Sequence, residues 1–283
     1  MIFNREVKIL KRYKVTFIGC GNMGEAILKG ITASGFIGNK SITFYEVDKK
    51  RSEYIKNTYG IDMAGSISES ARNSEYILLA VKPQNIKKVL MELKKCFKQD
   101  INSVISIVAG ISTDFIEKSL GGQSSVIRVM PNAPALFKSG MATISSGRYS
   151  TERDRQFTGE LIKQTGKYII IDGDLQNIST AINGSGPAYF FLFCKYIIEA
   201  AVKNGISEDI ARRLVTETMI GSGIMMNGSD LEMDELISKV ASPGGTTEKA
   251  LQVFASRCLG DIVIEAVEDA AKRAKELEEN LNE

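Results

Sequence analysis

The sequence contains no histidine. This absence excludes catalytic Ser-His and Cys-His pairs, zinc sites with histidine ligands, and the side chain most often used as a general acid or base near neutral pH. The chemistry of the protein must therefore come from a bound cofactor, a carboxylate, a lysine or positioned hydroxyl groups.

Cysteine is also scarce, with four residues in a chain of 283. Cys20, Cys96, Cys194 and Cys258 lie far apart, so the chain has no CxxC redox or metal-binding motif. We therefore expect free thiols, no metal site, and a reducing compartment, the cytoplasm.

Residues 1–13 are basic but lack the apolar core of a secretory signal, and we interpret them as an N-terminal arm.

Two further features of the sequence limit the kinds of partner. The almost wholly apolar segment 188–202 is shorter than the ~20 residues that a membrane-spanning helix needs. The formal net charge is only +2, which excludes binding to polyanions through bulk charge. We expect neither a membrane nor a nucleic acid as a partner.

The composition and patterning are those of a soluble α/β protein of one or two domains, with 43% hydrophobic and 25% charged residues. Over residues 14–174, apolar β-rich runs alternate with segments of helical periodicity, which predicts a doubly wound parallel sheet. After Asp174 the strand pattern ends, and residues 175–283 are predicted to form an all-helical domain. The apolar helix at 188–202 must be buried, either in a core or between subunits.

A glycine-rich segment follows the first predicted strand and opens a predicted helix. It matches GxGxxG and consists of Gly19, Cys20, Gly21, Asn22, Met23 and Gly24. In such a motif the first glycine permits a tight turn, the second admits a pyrophosphate, and the third lets the helix pack close to the strand. The free amides of the helix N-terminus then bind phosphate oxygens. The segment therefore predicts a dinucleotide site.

The end of the second predicted strand bears on the choice between NADH and NADPH. Glu46 lies near the position where an acidic side chain accepts a hydrogen bond from the ribose 2′-hydroxyl and repels a 2′-phosphate. Lys49, Lys50 and Arg51 follow closely and are able to bind such a phosphate. A solvated strand-end charge is the other interpretation of Glu46. The pattern leans towards NADH and leaves NADPH open.

Two more strand ends are expected at the same crevice, because ligands of open parallel sheets bind beyond the carboxyl ends of the strands. They contribute Ala80, Val81, Lys82 and Pro83 after the third apolar strand, and Ala109 and Gly110 after the next. We expect these residues to contact the nicotinamide and its ribose largely through the backbone. Lys82 is open to a second interpretation, as a catalytic lysine.

Five segments in order make the chain similar to a known family. They are GCGNMG at 19–24, AVKP at 80–83, RVMPNAPA at 128–135, NGSGPAYFF at 183–191 and ASPGGTTEKAL at 241–251. From about Lys14 to the C-terminal helix, the chain resembles pyrroline-5-carboxylate reductase. The resemblance implies an N-terminal Rossmann domain and a C-terminal helical dimerisation domain, with a homodimer often assembled into larger rings.

The resemblance also implies a reaction, the last step of proline biosynthesis. A hydride passes from NADH or NADPH to the C5 imine carbon of L-1-pyrroline-5-carboxylate and yields L-proline. The loop expected to bind this substrate consists of Ser242, Pro243, Gly244, Gly245, Thr246 and Thr247. Its exposed amides and the helix that follows suit a carboxylate, and Thr247 resembles the family residue whose hydroxyl lies near the imine nitrogen.

Two residues of the RVMPNAPA segment have different expected roles. Asn132 is the better candidate for a cofactor contact, whereas Arg128 is expected to form a structural ion pair. Asn183, which precedes the apolar helix, fits either a helix-entry turn or the substrate pocket. Two other functions remain open at this point: another NAD(P)-dependent reductase of an imine or β-hydroxyacid, and a non-catalytic nucleotide-binding paralogue.

Overall fold

The computed structural model describes residues 13–282, with the side chains of 13–281. The predicted N-terminal arm, apart from Tyr13, lies outside the described residues. The described chain forms two compact units, one of residues 13–184 with 270–282 and one of Ser185–Asp269. No helix in the described range is both long enough and apolar enough to cross a membrane.

The first unit contains eight strands. They are β1 Tyr13–Ile18, β2 Ile42–Tyr45, β3 Asp62–Met63, β4 Ser74–Leu79, β5 Ser103–Ser106, β6 Ser125–Met130, β7 Gly140–Ser146 and β8 Gly166–Ile170. Its helices are α1 Asn22–Ser34, α2 Lys49–Tyr59, α3 Ile67–Arg72, α4 Ile86–Lys94, α5 Thr113–Leu120, α6 Glu152–Lys163 and α7 Gln176–Ser179. The remaining helices are α8 Gly186–Lys203, α9 Glu208–Asn227, α10 Met233–Val240, α11 Thr246–Ser256 and α12 Leu259–Asn282.

The strands form one sheet in the order β3-β2-β1-β4-β5-β6-β7-β8. Its first six positions have the 3-2-1-4-5-6 order of a dinucleotide-binding sheet, which confirms the predicted fold class. One pair departs from the expected parallel arrangement, because β7 runs antiparallel to β6. The connection over residues 131–139 is too short for the crossover that a parallel pair needs.

The core lies on both faces of this sheet. In β4, Tyr76 and Leu78 join one buried apolar cluster, and Ile77 and Leu79 join the other. Successive side chains of a strand point to opposite faces, so a strand covered on both sides must be apolar throughout. The continuous apolar run at 76–81 is therefore typical of a central strand, and its first four residues belong to β4.

The compact units divide the chain later than the predicted boundary at residue 174. Gln176 bonds to Thr143 and Ser145 of β7, and the Asn183 side chain donates to the carbonyl of Met130 in β6. These buried bonds hold residues 175–184 against the sheet.

The last part of α12 also belongs to the first unit. Glu278 pairs with the buried Arg128 of β6 at 3.2 Å, which confirms the ion pair expected for that arginine. Leu281 packs against one of the two apolar clusters. The helical pattern of the sequence placed residues 270–282 in the second domain. It carries no information on these contacts, because they join segments far apart in sequence.

The second unit, Ser185–Asp269, consists of α8 to α11 and the first part of α12. The apolar helix predicted at 188–202 is α8. Several of its large apolar side chains are exposed in the single chain, with Phe191 at 67% and Tyr196 at 57%. A single copy of the chain therefore leaves much of this helix uncovered.

Candidate functional site

The glycine loop between β1 and α1 lies against the end of β4. Gly19 has a φ of +84°, and a Cβ there would lie 2.8 Å from the carbonyl oxygen of Ala80. A Cβ added at Gly24 would lie 3.1 Å from the Cβ of Ala80, which is also closer than an ordinary van der Waals contact. Gly19 and Gly24 therefore let the loop and α1 approach the strand end formed by Ala80 and Val81.

Helix α1 begins with unused backbone donors. Gly21 is its N-cap residue and supplies no capping side chain, and the first helical bond runs from the Glu25 amide to the Gly21 carbonyl at 2.9 Å. The amides of the first helical residues, 22–24, therefore have no acceptor within the helix. A Cβ built on Gly21 meets no described atom within 4 Å, so the approach to these amides is open. This arrangement fits the phosphates of a dinucleotide.

A cavity of about 310 Å³ lies beside the loop, at the carboxyl ends of β1, β2 and β4. Its lining includes Gly19, Glu46 and Val81 together with Lys88 and Glu92 of α4. Open α/β sheets bind ligands at this edge, where the strand order reverses between β1 and β4. The structure thus brings the predicted glycine loop, strand-end acid and Val81 to one cavity.

Glu46 is tied to the glycine loop by its side chain. One carboxylate oxygen accepts the Cys20 amide at 2.8 Å, and the other accepts the Asp48 amide at 3.1 Å. Each oxygen keeps a second lone pair, so the carboxylate is still able to accept a hydroxyl. The interpretation of Glu46 as a merely solvated strand-end charge does not account for these two bonds.

Arg51 holds the other side of Cys20. Its Nε donates to the Cys20 carbonyl at 2.7 Å, and its Nη2 pairs with Glu25 at 2.5 Å. Glu25 also accepts the hydroxyls of Tyr54 and Tyr59, at 3.1 and 2.8 Å. Burial opposes ionisation of Glu25, but the bonds from Tyr59 and Arg51 outweigh it and hold the pKa of this carboxyl below its ordinary value.

The role of Glu25 was not predicted from the sequence. Its contacts join α1 to α2 across more than twenty residues, and no local motif signals them.

The Cys20 thiol is fully buried, and Glu25 and Glu46 are its acidic neighbours. Burial and the neighbouring Glu46 raise its pKa to about 12, so it is not a reactive thiolate.

The remaining strand-end residues differ in their surroundings. Lys82 is exposed, and Pro83 begins a short 3-10 turn before α4. Gly110 has a φ of +72°, and a Cβ on it would lie 3.3 Å from Leu281 of α12. The C-terminal helix thus covers the strand end after β5, and the contacts predicted for Ala109 and Gly110 stay predictions.

Asn132 is 9% exposed and uses both ends of its side chain within the protein. Its Nδ2 donates to the Asn183 carbonyl at 3.1 Å, and its Oδ1 accepts the Met141 amide at 2.9 Å. Asn183 in turn donates to the carbonyls of Met130 and Met141. The pair holds the turn between β6 and β7, while the cofactor contact predicted for Asn132 stays a prediction.

The loop expected to bind a carboxylate lies in the second unit. Gly244 has a φ of +74°, and its amide donates to the Glu248 side chain at 2.5 Å. The Gly245 amide donates to the Ser242 carbonyl at 3.0 Å. Two of the predicted donors therefore have partners, and the first amides of α11, those of Thr246 and Thr247, are the free ones.

Comparison with known proteins bears on the whole chain. A family model described as pyrroline-5-carboxylate reductase dimerisation matches residues 174–277. Another, described as NADP oxidoreductase coenzyme F420-dependent, matches residues 14–110. A pyrroline-5-carboxylate reductase of Pseudomonas aeruginosa is 32% identical over 271 residues, which cover 95% of this chain and 98% of the relative.

Solved structures agree with these matches. The pyrroline-5-carboxylate reductase of Coxiella burnetii gives a TM-score of 0.88 at 32% identity, over 94% of this chain and 99% of that one. The Plasmodium falciparum pyrroline carboxylate reductase, solved with NADP bound, gives 0.85 at 31% identity, over 95% and 99% of the two chains. Since identity at this level extends over both units, the chain belongs to the pyrroline-5-carboxylate reductase family, as its motifs predicted.

Proposed function

We propose that this chain is a pyrroline-5-carboxylate reductase, which uses NADH or NADPH to reduce L-1-pyrroline-5-carboxylate to L-proline. The observation that carries the proposal is the reach of the similarity, 32% identity over 95% of the chain. The local geometry supports it, because the first unit has a cradle for a dinucleotide and the second has a loop suited to a carboxylate. The protein thus belongs to the oxidoreductases that act on a cyclic imine.

The residues of the second unit orient the substrate. The amides of Thr246 and Thr247, at the positive end of α11, hold its carboxylate. The Thr247 hydroxyl hydrogen-bonds the ring nitrogen, which carries or receives the proton in the product. When bound, the reduced dinucleotide supplies the hydride that forms the new C5–H bond.

This chemistry suits a chain without histidine. A protonated imine is already electrophilic, and water is able to supply the proton, so no strong general acid is required. The protein mainly orients two reactants, and orientation alone is worth several kcal/mol, up to about 7–11 kcal/mol in well-aligned systems. Thr247 acts as an orienting donor because a hydroxyl is a poor acid unaided.

The charges around the cavity favour NADH over NADPH. Glu46 and Glu92 line the cavity against a single lysine, Lys88. A 2′-phosphate brings about two negative charges into this region, whereas the 2′-hydroxyl of NADH brings none and is able to donate to Glu46.

The exposed apolar side chains of α8 support a homodimer formed through the C-terminal helices. Phe190, Phe191 and Leu192 are each more than half exposed, and exposed apolar patches of this kind mark interaction sites. The family model that matches residues 174–277 describes dimerisation. A second copy of the chain is therefore the partner we expect, and rings of dimers are a further step of assembly.

The thiols support a cytoplasmic location. All four cysteines are unpaired, and Cys20 and Cys96 are buried within the first unit. Free buried thiols are typical of proteins that work in a reducing compartment.

A spectrophotometric assay tests the function directly. Purified protein is mixed with L-1-pyrroline-5-carboxylate and either NADH or NADPH, and the fall in absorbance of the reduced nicotinamide is followed while proline is quantified. We expect oxidation of the dinucleotide and formation of proline in equal amounts. Binding of a dinucleotide without turnover of either cofactor would instead identify a nucleotide-binding paralogue.

A further inference from the structure

The backbone of Cys20, the second residue of the glycine loop, is held from two sides by charged residues. Its amide donates to Glu46 and its carbonyl accepts from Arg51, while Arg51 is paired with Glu25. We propose that Glu25 is a specificity-determining residue, which holds Arg51 away from a 2′-phosphate and so makes the chain prefer NADH. The inference rests on the proposed use of a nicotinamide dinucleotide.

Arg51 is the cation whose position would otherwise suit a phosphate. It lies in the first turn of α2, just after the strand end that carries Glu46, where an arginine accommodates the 2′-phosphate in enzymes that use NADPH. Here its Nε and Nη2 are already engaged, by the Cys20 carbonyl and the Glu25 carboxylate. A phosphate would have to compete with a charge-assisted pair for this guanidinium.

Glu25 is itself held firmly in the position that binds Arg51. The hydroxyls of Tyr54 and Tyr59 donate to one of its oxygens, and the other oxygen binds Arg51. Both tyrosines belong to α2, as does Arg51, so the whole helix presents three donors to one carboxylate of α1. Breaking the pair by rotating Glu25 away would cost the two tyrosine bonds as well.

The local charge leads to the same expectation. Arg51 pairs with Glu25 and bonds to the Cys20 carbonyl, while Glu46 bonds to the Cys20 amide, so these three charged groups around Cys20 carry a net negative charge. Lys49 and Lys50 are exposed at the start of α2, where solvent screens them. Lys88 lines the cavity together with Glu92. The neutral ribose hydroxyl of NADH avoids the repulsion that a 2′-phosphate would meet.

Dinucleotide binding tests the proposal without any need for turnover. Isothermal titration calorimetry gives the Kd of NAD⁺ and of NADP⁺ for the wild-type protein and for Glu25→Gln. The glutamine keeps acceptor capacity for the tyrosines and removes the charge that neutralises Arg51. We expect the wild type to bind NAD⁺ more tightly than NADP⁺. In Glu25→Gln, the Kd of NADP⁺ divided by the Kd of NAD⁺ should fall by about tenfold or more, which is the effect of one charge-assisted bond.

A double variant and a matched control make the test specific. Glu25→Gln combined with Arg51→Ala should lose the shift, because the freed guanidinium is its cause. Glu53→Gln, an exposed change of the same charge on α2, should leave the Kd ratio at the wild-type value. Tighter binding of NADP⁺ by the wild type, or an unchanged ratio in Glu25→Gln, would overturn the inference. Absence of turnover with measurable dinucleotide binding would count against the proposed reaction alone.

Discussion

Cys20 is the residue at which the polar contacts of the dinucleotide cradle converge. Its amide and carbonyl bind Glu46 and Arg51, so the acid after β2 and the first turn of α2 both fix the loop. The loop is therefore preorganised, since its shape is set by contacts made before any ligand binds. Preorganisation of this kind reduces the free-energy cost of binding.

Gly19 is the position in the cradle that tolerates substitution least. We expect Gly19→Ala to abolish dinucleotide binding, because its Cβ would lie 2.8 Å from the Ala80 carbonyl oxygen and its φ of +84° is unfavourable for alanine. Calorimetry with NAD⁺ measures the effect. Gly60→Ala is the matched control, since its φ is +62° but no described atom lies within 4 Å of the added Cβ. That variant should lose only about 1–2 kcal/mol of stability and still bind NAD⁺.

Thr247 is the residue whose loss should affect turnover most directly. We expect Thr247→Ala to lower kcat by roughly 10- to 100-fold, the range expected for one hydrogen bond to a charged group. The Kd of the dinucleotide should stay nearly the same, because the glycine loop is proposed to hold the dinucleotide phosphates and the Thr247 hydroxyl is proposed to bind the substrate. Ser256→Ala, at the other end of α11, is the control. Wild-type kcat in Thr247→Ala would remove this hydroxyl from the mechanism.

At the scale of elements, Asp154 joins α6 to the sheet. Its buried carboxylate accepts the hydroxyls of Ser103 of β5, Ser125 of β6 and Thr151, at 2.8, 2.7 and 2.7 Å. It also accepts the Thr151 amide and completes the N-terminal capping box of α6. Burial opposes its ionisation, but these bonds outweigh burial and hold the pKa of Asp154 below its ordinary value.

This pKa shift gives Asp154 a pH-dependent share in stability. We expect Asp154→Asn to lower the free energy of unfolding by about 2–4 kcal/mol at pH 7, because several buried donors lose a charged acceptor. A carboxyl with a depressed folded-state pKa stabilises above its unfolded pKa of about 3.8 and loses that contribution as the pH falls further. Urea unfolding of the wild type and of Asp154→Asn, at pH 7 and near pH 3, measures the difference in their free energies of unfolding. A difference that does not shrink at the lower pH would contradict the role given to the Asp154 carboxylate.

Local signals set several element boundaries. α5 covers Thr113–Leu120 because Ser112 caps its first turn and Gly121 ends it in the left-handed region. The antiparallel direction of β7 does not follow from its own apolar pattern; the short connection over residues 131–139 was the signal for it. β3 and α3 were not predicted, and each is short, with little room for a periodic pattern.

At the scale of the whole molecule, the exposed apolar side chains of α8 form the proposed interface between two copies of the chain. We expect Phe191→Asp to weaken self-association by at least roughly hundredfold, because a charge would have to be buried in the interface. Sedimentation velocity over a range of concentrations measures this, with circular dichroism to verify the helical content. Lys163→Glu, an exposed charge change on α6 of the first unit, is the control. Unchanged association of Phe191→Asp would contradict the proposal that α8 forms the interface.

The sequence by itself determined the family, the α/β class, the glycine loop and the positions of most helices and strands. These depend on periodicity, caps and glycine geometry, which act over a few neighbouring residues. Only the tertiary structure decided that Arg51 is paired with Glu25, that Gly244 donates to Glu248, and that α12 covers Gly110. Which partner satisfies a charge or an amide depends on what packing brings within about 3 Å, and local pattern carries no information on that distance.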